Sequence, residues 1–231
     1  FSFEFKADWS KPYGRQPEIL EYMRRVADAY GVTPRCRFSD PVTSMRWTGP
    51  DSTWEVTTRS GYVTRADVVI SAVGMLNEPV LPGIDGLETF DGPMFHSARW
   101  RDDVSLVDAR VAVIGSAASA VQLVPEILPS VDRLHLFQRS ANWVLPKNDT
   151  PYTEEQLEEF RRDPSPLLEM RQLIEDNMNR GMTFALKELN AERERTGLEA
   201  IEVVTDPALR AALTPQHPFG CKRPLLSNVF Y

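Results

Sequence analysis

Arg110-Val111-Ala112-Val113-Ile114-Gly115-Ser116-Ala117-Ala118-Ser119-Ala120 is the stretch that decides the fold. Val111, Val113 and Ile114 predict a short buried strand, Gly115 a turn, and the small residues after it a helix running to about Leu128. A second strand follows at Val131 to Gln138. Strand, turn, helix and strand fit within about 30 residues, the size of a βαβ unit, so the spacing predicts two parallel strands and an α/β fold.

Gly115 to Ala120 occupies the turn where a dinucleotide-binding fold carries G-x-G-x-x-G, with alanine in place of the second and third glycines. Gly115 can make the tight turn, and Ala117 and Ala120 are the next smallest residues for letting a pyrophosphate and a strand approach the start of the helix. Gly115, Ser116, Ala117, Ala118, Ser119 and Ala120, with Gln122 farther along the helix, are therefore candidate cofactor-binding residues. A turn that only packs a helix on a strand shares this pattern. At the end of the second strand, where an NAD-binding fold places a carboxylate on the ribose, the chain reads Gln138-Arg139-Ser140. A cation there suits a 2′-phosphate, and the bland alternative is a surface arginine at a strand end.

Upstream, Pro17 opens a helical pattern with Ile19, Leu20, Met23, Val26, Ala27 and Tyr30 on one stripe and Gly31 as its stop. From Arg35 to Val73 the period shortens towards two, with strands expected at Val42 to Thr48, Trp54 to Thr58 and Ala66 to Val73. The last of these is apolar nearly throughout, as for a strand covered on both faces, and Gly74 after it suggests a close backbone approach. Downstream, Tyr152 to about Glu202 reads as acidic helix, an ordinary solvated surface. The twelve glycines never form a G-x-G pair, so the chain holds no second dinucleotide fingerprint and a complete flavin fold would extend beyond it.

The 231 residues are 42% hydrophobic and 26% charged, which is globular rather than disordered. A net charge of -7 argues against nucleic acid as a partner. The longest apolar run is far shorter than the roughly 20 residues of a membrane span. Cys36 and Cys221 are far apart and in no Cys or His cluster, so neither disulfides nor zinc is indicated and a reducing cytoplasm fits. The chain opens on Phe1 and stops in mid-pattern at Tyr231, which reads as an internal piece lacking N- and C-terminal parts.

Phe90-Asp91-Gly92-Pro93-Met94-Phe95-His96-Ser97-Ala98-Arg99-Trp100 matches F-x-G-x-x-x-H-x-x-x-W. By this signature the sequence resembles the Baeyer-Villiger monooxygenases. The likeness extends through Gln16-Pro17-Glu18-Ile19-Leu20, Phe137-Gln138-Arg139-Ser140-Ala141-Asn142-Trp143 and Gly220-Cys221-Lys222-Arg223-Pro224-Leu225. Trp100 separates the pattern from related flavin monooxygenases that oxidise amines and sulfides, while Arg101 departs from the Pro or Asp usual in the family after the Trp.

The resemblance implies an enzyme in which NADPH reduces FAD and O2 then oxygenates a ketone to an ester or lactone, the chemistry being largely the cofactor's. It implies that Arg223 lies beside the flavin and stabilises developing negative charge. It places Lys222 with Arg139 and Ser140 around the 2′-phosphate, although as residues alone Lys222-Arg223 read as a solvated basic pair. His96 belongs to the catalytic set as an element coupling the two cofactor domains rather than as acid or base, and Val42 matches a strand position whose backbone contacts FAD adenine. The implied organisation is part of an FAD-binding domain at 1–74 containing a small β-meander, a Rossmann-like NADPH-binding domain at 75–145, a helical insertion at 146–217, and a return to the NADPH domain at 218–231. An N- or S-oxygenating flavin monooxygenase and a noncatalytic nucleotide-binding fragment stay open as alternatives.

Overall fold

A computed structural model describes residues 1–182 and 186–231. The chain forms two compact units, the first made of residues 1–5 and 15–84 and the second of residues 6–14 and 85–231.

Unit 1 holds helix α1 (Gln16–Ala29) and an antiparallel meander of β1 (Val42–Thr48), β2 (Thr53–Thr58) and β3 (Val63–Ala66). Pro17 stands in the first turn of α1, where its missing N–H costs no hydrogen bond. The helix ends before Gly31, whose φ of +60° suits glycine. Its buried residues are Tyr22 and Val26. The Tyr22 ring lies 5.8 Å from Phe1, and its hydroxyl donates to the Glu4 carbonyl at 2.6 Å. Ile19, Leu20, Met23 and Tyr30 of the expected core stripe are exposed instead. At the far edge of the meander Asp40 accepts from the Ser60 hydroxyl at 2.7 Å, the Ser60 N–H at 2.9 Å and the Thr58 hydroxyl at 2.8 Å. Those bonds, Ser60's foremost, hold its carboxyl below the usual carboxylate range.

The expected strand at Ala66 to Val73 does not form past Ala66. Val68, Ile70 and Val73 are 72%, 85% and 75% exposed. A strand covered on both faces needs ladder partners and two flanking layers, and no described strand pairs with residues 67–73, so their apolar character alone does not order them into a sheet. Gly74 has a φ of +73° with nothing within 4 Å of where a Cβ would stand, so its backbone conformation, and not the close approach expected, is what favours glycine there.

Unit 2 is built on β4 (Arg110–Ile114), α2 (Ala118–Ile127) and β5 (Arg133–Phe137). The strands are parallel, with Arg110 opposite Arg133 and Ile114 opposite Phe137. One face is covered: Val111 and Val113 are half-buried, while Ile114 and Phe137 are 53% and 58% exposed, so β4 is not the fully buried strand expected. After β5 the chain makes the two-residue strand β6 (Val144–Leu145), then α3 (Glu154–Arg162), α4 (Ser165–Met182), α5 (Lys187–Ile201), α6 (Pro207–Leu213) and β7 (Leu225–Leu226). The stretch from Tyr152 to Glu202 is helical as expected, in several helices of which the first ends before Pro164, and its portion at 183–185 lies outside the described residues. A capping box, Thr153 with Gln156, starts α3.

Strand β7 pairs in parallel with β6, and Val121, Val144 and Leu225 form a buried cluster that joins α2 to this pair. Gly197 of α5 lies against the buried Trp143, and a Cβ there would stand 2.8 Å from the indole Cε3. Gly197→Ala should therefore lower the melting temperature, although alanine favours a helix by about 1 kcal/mol, because overpacking against a fixed indole costs about 1–3 kcal/mol. Thermal unfolding of the variant checks this. No described helix is long and apolar enough to cross a membrane.

Candidate functional site

The turn between β4 and α2 begins at Gly115, whose N–H continues the ladder to the Phe137 carbonyl at 2.8 Å while its φ of +104° redirects the chain. A Cβ there would meet nothing within 4 Å, so the turn's outer side is open. Ser116 is buried, and Asn142 donates from Nδ2 to its carbonyl at 2.8 Å and contacts its hydroxyl at 2.9 Å. The Ser116 hydroxyl is thereby engaged inside the protein. Ala117 is the N-cap of α2, where no side chain caps the first turn, and its carbonyl accepts from Val121 at 3.0 Å. Ala118 is half-buried and Ser119 exposed, whereas Ala120 is 6% exposed on the packed face. Uncapped first-turn N–H groups beside an open glycine form an anion-accepting helix start. Gln122 is exposed and folds back to donate to the Ala118 carbonyl at 2.8 Å.

Strand β5 delivers Arg139 and Ser140 to the rim of a cavity of about 450 Å³. Its lining includes Arg139, Ser140, Thr214, His217, Cys221 and Lys222. The far wall comes from the end of α6 and the loop after it, which three contacts hold in place. Trp143 donates from its indole N–H to the His217 carbonyl at 3.0 Å. The Phe219 N–H donates to Glu194 of α5 at 2.7 Å, and Gln138 donates to the Ala212 carbonyl at 2.9 Å. Lys222 then reaches the Ser140 hydroxyl from 82 residues away in sequence. A guanidinium, an ammonium and hydroxyls lining one concavity are suited to a phosphomonoester dianion.

Arg223 is exposed beside this pocket's Lys222 but does not line the pocket. His96 caps the short turn Ser97–Arg99, its Nδ1 accepting from the Ala98 N–H at 3.0 Å. That turn brings Trp100 back onto Phe95, edge to face at 5.2 Å. The Phe90 ring lies over Gly92, where a Cβ would stand 2.6 Å from it. The motif residues thus shape a local turn, and His96 Nδ1 is committed to the backbone. Arg101 pairs with Asp103 two residues on. Val42 opens β1 in unit 1, opposite Thr58 at a bulge. Sequence reasoning gave no role to Asn142 or to the loop at 214–217, because a hydrogen bond spanning 26 residues leaves no local pattern.

The family model for flavin-binding monooxygenase-like proteins matches residues 2–195. The chain belongs to the flavin-binding monooxygenase-like family. Across its whole length this family member is 40% identical to a Baeyer-Villiger monooxygenase of Streptomyces coelicolor and 36% identical to one of Pseudomonas aeruginosa, covering 45% and 44% of those proteins. It spans about half the length of the curated relatives it matches. Among solved structures it resembles OTEMO in complex with FAD and NADP, with a TM-score of 0.81 and 29% identity over 96% of this chain and 50% of that one. Cyclohexanone monooxygenase from Rhodococcus sp. Phi1 bound to NADP+ gives a TM-score of 0.79 and 27% identity over 98% of this chain and 51% of that one. The family member thus has the α/β fold of the flavin monooxygenases.

Proposed function

We propose that this chain is the NADPH-selecting portion of a Baeyer-Villiger monooxygenase that inserts one oxygen atom of O2 beside a ketone carbonyl to give an ester or lactone. The observation that carries the reading is the pocket in which Arg139, Ser140 and Lys222 meet at the end of β5, one strand away from the open turn at Gly115. The turn, with Ala117, Ala118, Ser119 and Ala120 at the start of α2, would hold the pyrophosphate. Arg139, Ser140 and Lys222 would hold the 2′-phosphate. Ser116 contributes through the shape of the turn, because its hydroxyl is occupied by Asn142. The uncapped helix start and the free space beside Gly115 fit a dinucleotide. FAD and NADPH supply the redox chemistry when bound.

In this reading residues 1–74, with Val42, belong to the FAD-binding domain. Residues 75–145 and 218–231 form the NADPH-binding domain around the insertion 146–217. Arg223 supplies fixed positive charge to developing negative charge, and His96 shapes the turn that carries Trp100. Two exposed free cysteines, Cys36 and Cys221, suit a reducing cytoplasm. The test uses the full-length protein loaded with FAD. With NADPH, O2 and a panel of cyclic and linear ketones, one ester or lactone should form per NADPH consumed. Oxygenation of amines or sulfides with all ketones inert would overturn the reading.

A further inference from the structure

Residues 6–14 lie in unit 2 although the residues on either side of them in the chain, 1–5 and 15–84, belong to unit 1. The segment contains no helix or strand, so no backbone ladder keeps it in place. Lys11 Nζ lies 2.7 Å from Asp149 Oδ2, and Lys147 Nζ lies 2.9 Å from the same oxygen. Their side chains are only 17%, 14% and 27% exposed for Lys11, Asp149 and Lys147. The Lys147 ammonium also stands 4.8 Å from the centre of the Tyr13 ring, and the Ser10 carbonyl accepts the Tyr152 N–H at 3.0 Å.

Residues 147–152 are themselves held from behind. Asn228 and the Lys147 backbone exchange two hydrogen bonds, at 2.7 and 2.6 Å, and the Tyr152 ring packs edge-on against Phe160 of α3 at 5.1 Å. An exposed ion pair contributes little. Here two cations share one largely dehydrated carboxylate, and removing it leaves two ammonium groups facing each other with little water to screen them.

We propose that Asp149 is a positioning residue, the centre of an ionic clasp with Lys11 and Lys147 that fixes segment 6–14 on unit 2. Lys11 and Asp149 are 138 residues apart, so the clasp exists only in the folded chain. It does not depend on the oxygenation chemistry proposed above.

The test compares Asp149→Asn, Lys11→Gln and Asp149→Glu with the wild type in the full-length, FAD-loaded protein. Its readouts are tryptic cleavage at Lys6–Ala7 and hydrogen exchange at the Tyr152 amide, which Ser10 protects. Asp149→Asn and Lys11→Gln should each accelerate both by at least about tenfold. The amides of β4, α2 and β5 should exchange as in the wild type, and Asp149→Glu should restore most of the protection. Wild-type cleavage and exchange in Asp149→Asn would overturn the proposal, as would equal acceleration throughout unit 2. If Asp149→Asn does not fold, Lys11→Gln decides by the same two readouts.

Discussion

Arg223→Ala in the full-length protein should lower ester or lactone formation at least about a hundredfold, the loss typical of removing one preorganised group that stabilises developing charge, while NADPH still binds. Arg223 is exposed, no described carboxylate pairs with it, and its neighbour Lys222 is the one turned to Ser140. Its guanidinium is therefore not engaged by any described carboxylate. The loop that carries it is fixed two residues later by β7, where the Leu225 N–H donates to the Trp143 carbonyl at 2.8 Å. Truncation at 223 should thus remove charge without collapsing the neighbouring pocket. Product yield measured beside the NADPH dissociation constant separates the two effects. Unchanged product formation would remove Arg223 from the chemistry, and a parallel loss of nucleotide binding would reassign it to the pocket.

Arg139→Ala should raise the KM for NADPH about ten- to hundredfold, from the roughly 1.5–3 kcal/mol of a hydrogen bond to a charged group, and leave NADH nearly unchanged. The two cofactors differ only in the 2′-phosphate, so a residue that serves this group alone distinguishes them. Arg139 is exposed on the cavity wall, and Lys222, which reaches the Ser140 hydroxyl, lines the same cavity. With Lys222 left in the pocket, the variant should retain some preference for NADPH. Equal losses with both cofactors would mean that Arg139 shapes the pocket and does not read the phosphate.

How far the chain could be read in advance depended on the reach of each interaction. The run Arg110 to Ala120 and the strand after it are local patterns, and β4, α2 and β5 lie within one or two residues of where those patterns put most of their ends. The first two strands of the meander were equally legible, because alternation and turn residues act over a few positions. The apolar run at 67–73 misled for the same reason: its composition states a preference for burial without supplying the strand that would bury it. The stripe on α1 misled likewise, and Tyr22 was missed because its partners Phe1 and Glu4 lie outside the helix. The two-residue strands β6 and β7 have no propensity signal of their own, being made by a pairing across about eighty residues.

The candidate site divides in the same way. Gly115 and Arg139 were visible from the spacing of one βαβ unit, and the residues around Lys222 gained meaning only from family resemblance. The amino-acid order by itself determined the α/β character and the place of the glycine turn between β4 and α2, since backbone preferences and hydrophobic period are written in adjacent residues. Tertiary structure alone decided that Lys222 meets Ser140, that Asn142 locks Ser116 and that Asp149 gathers Lys11 and Lys147. Each of those contacts joins residues distant along the chain, and their proximity is set by how whole elements pack.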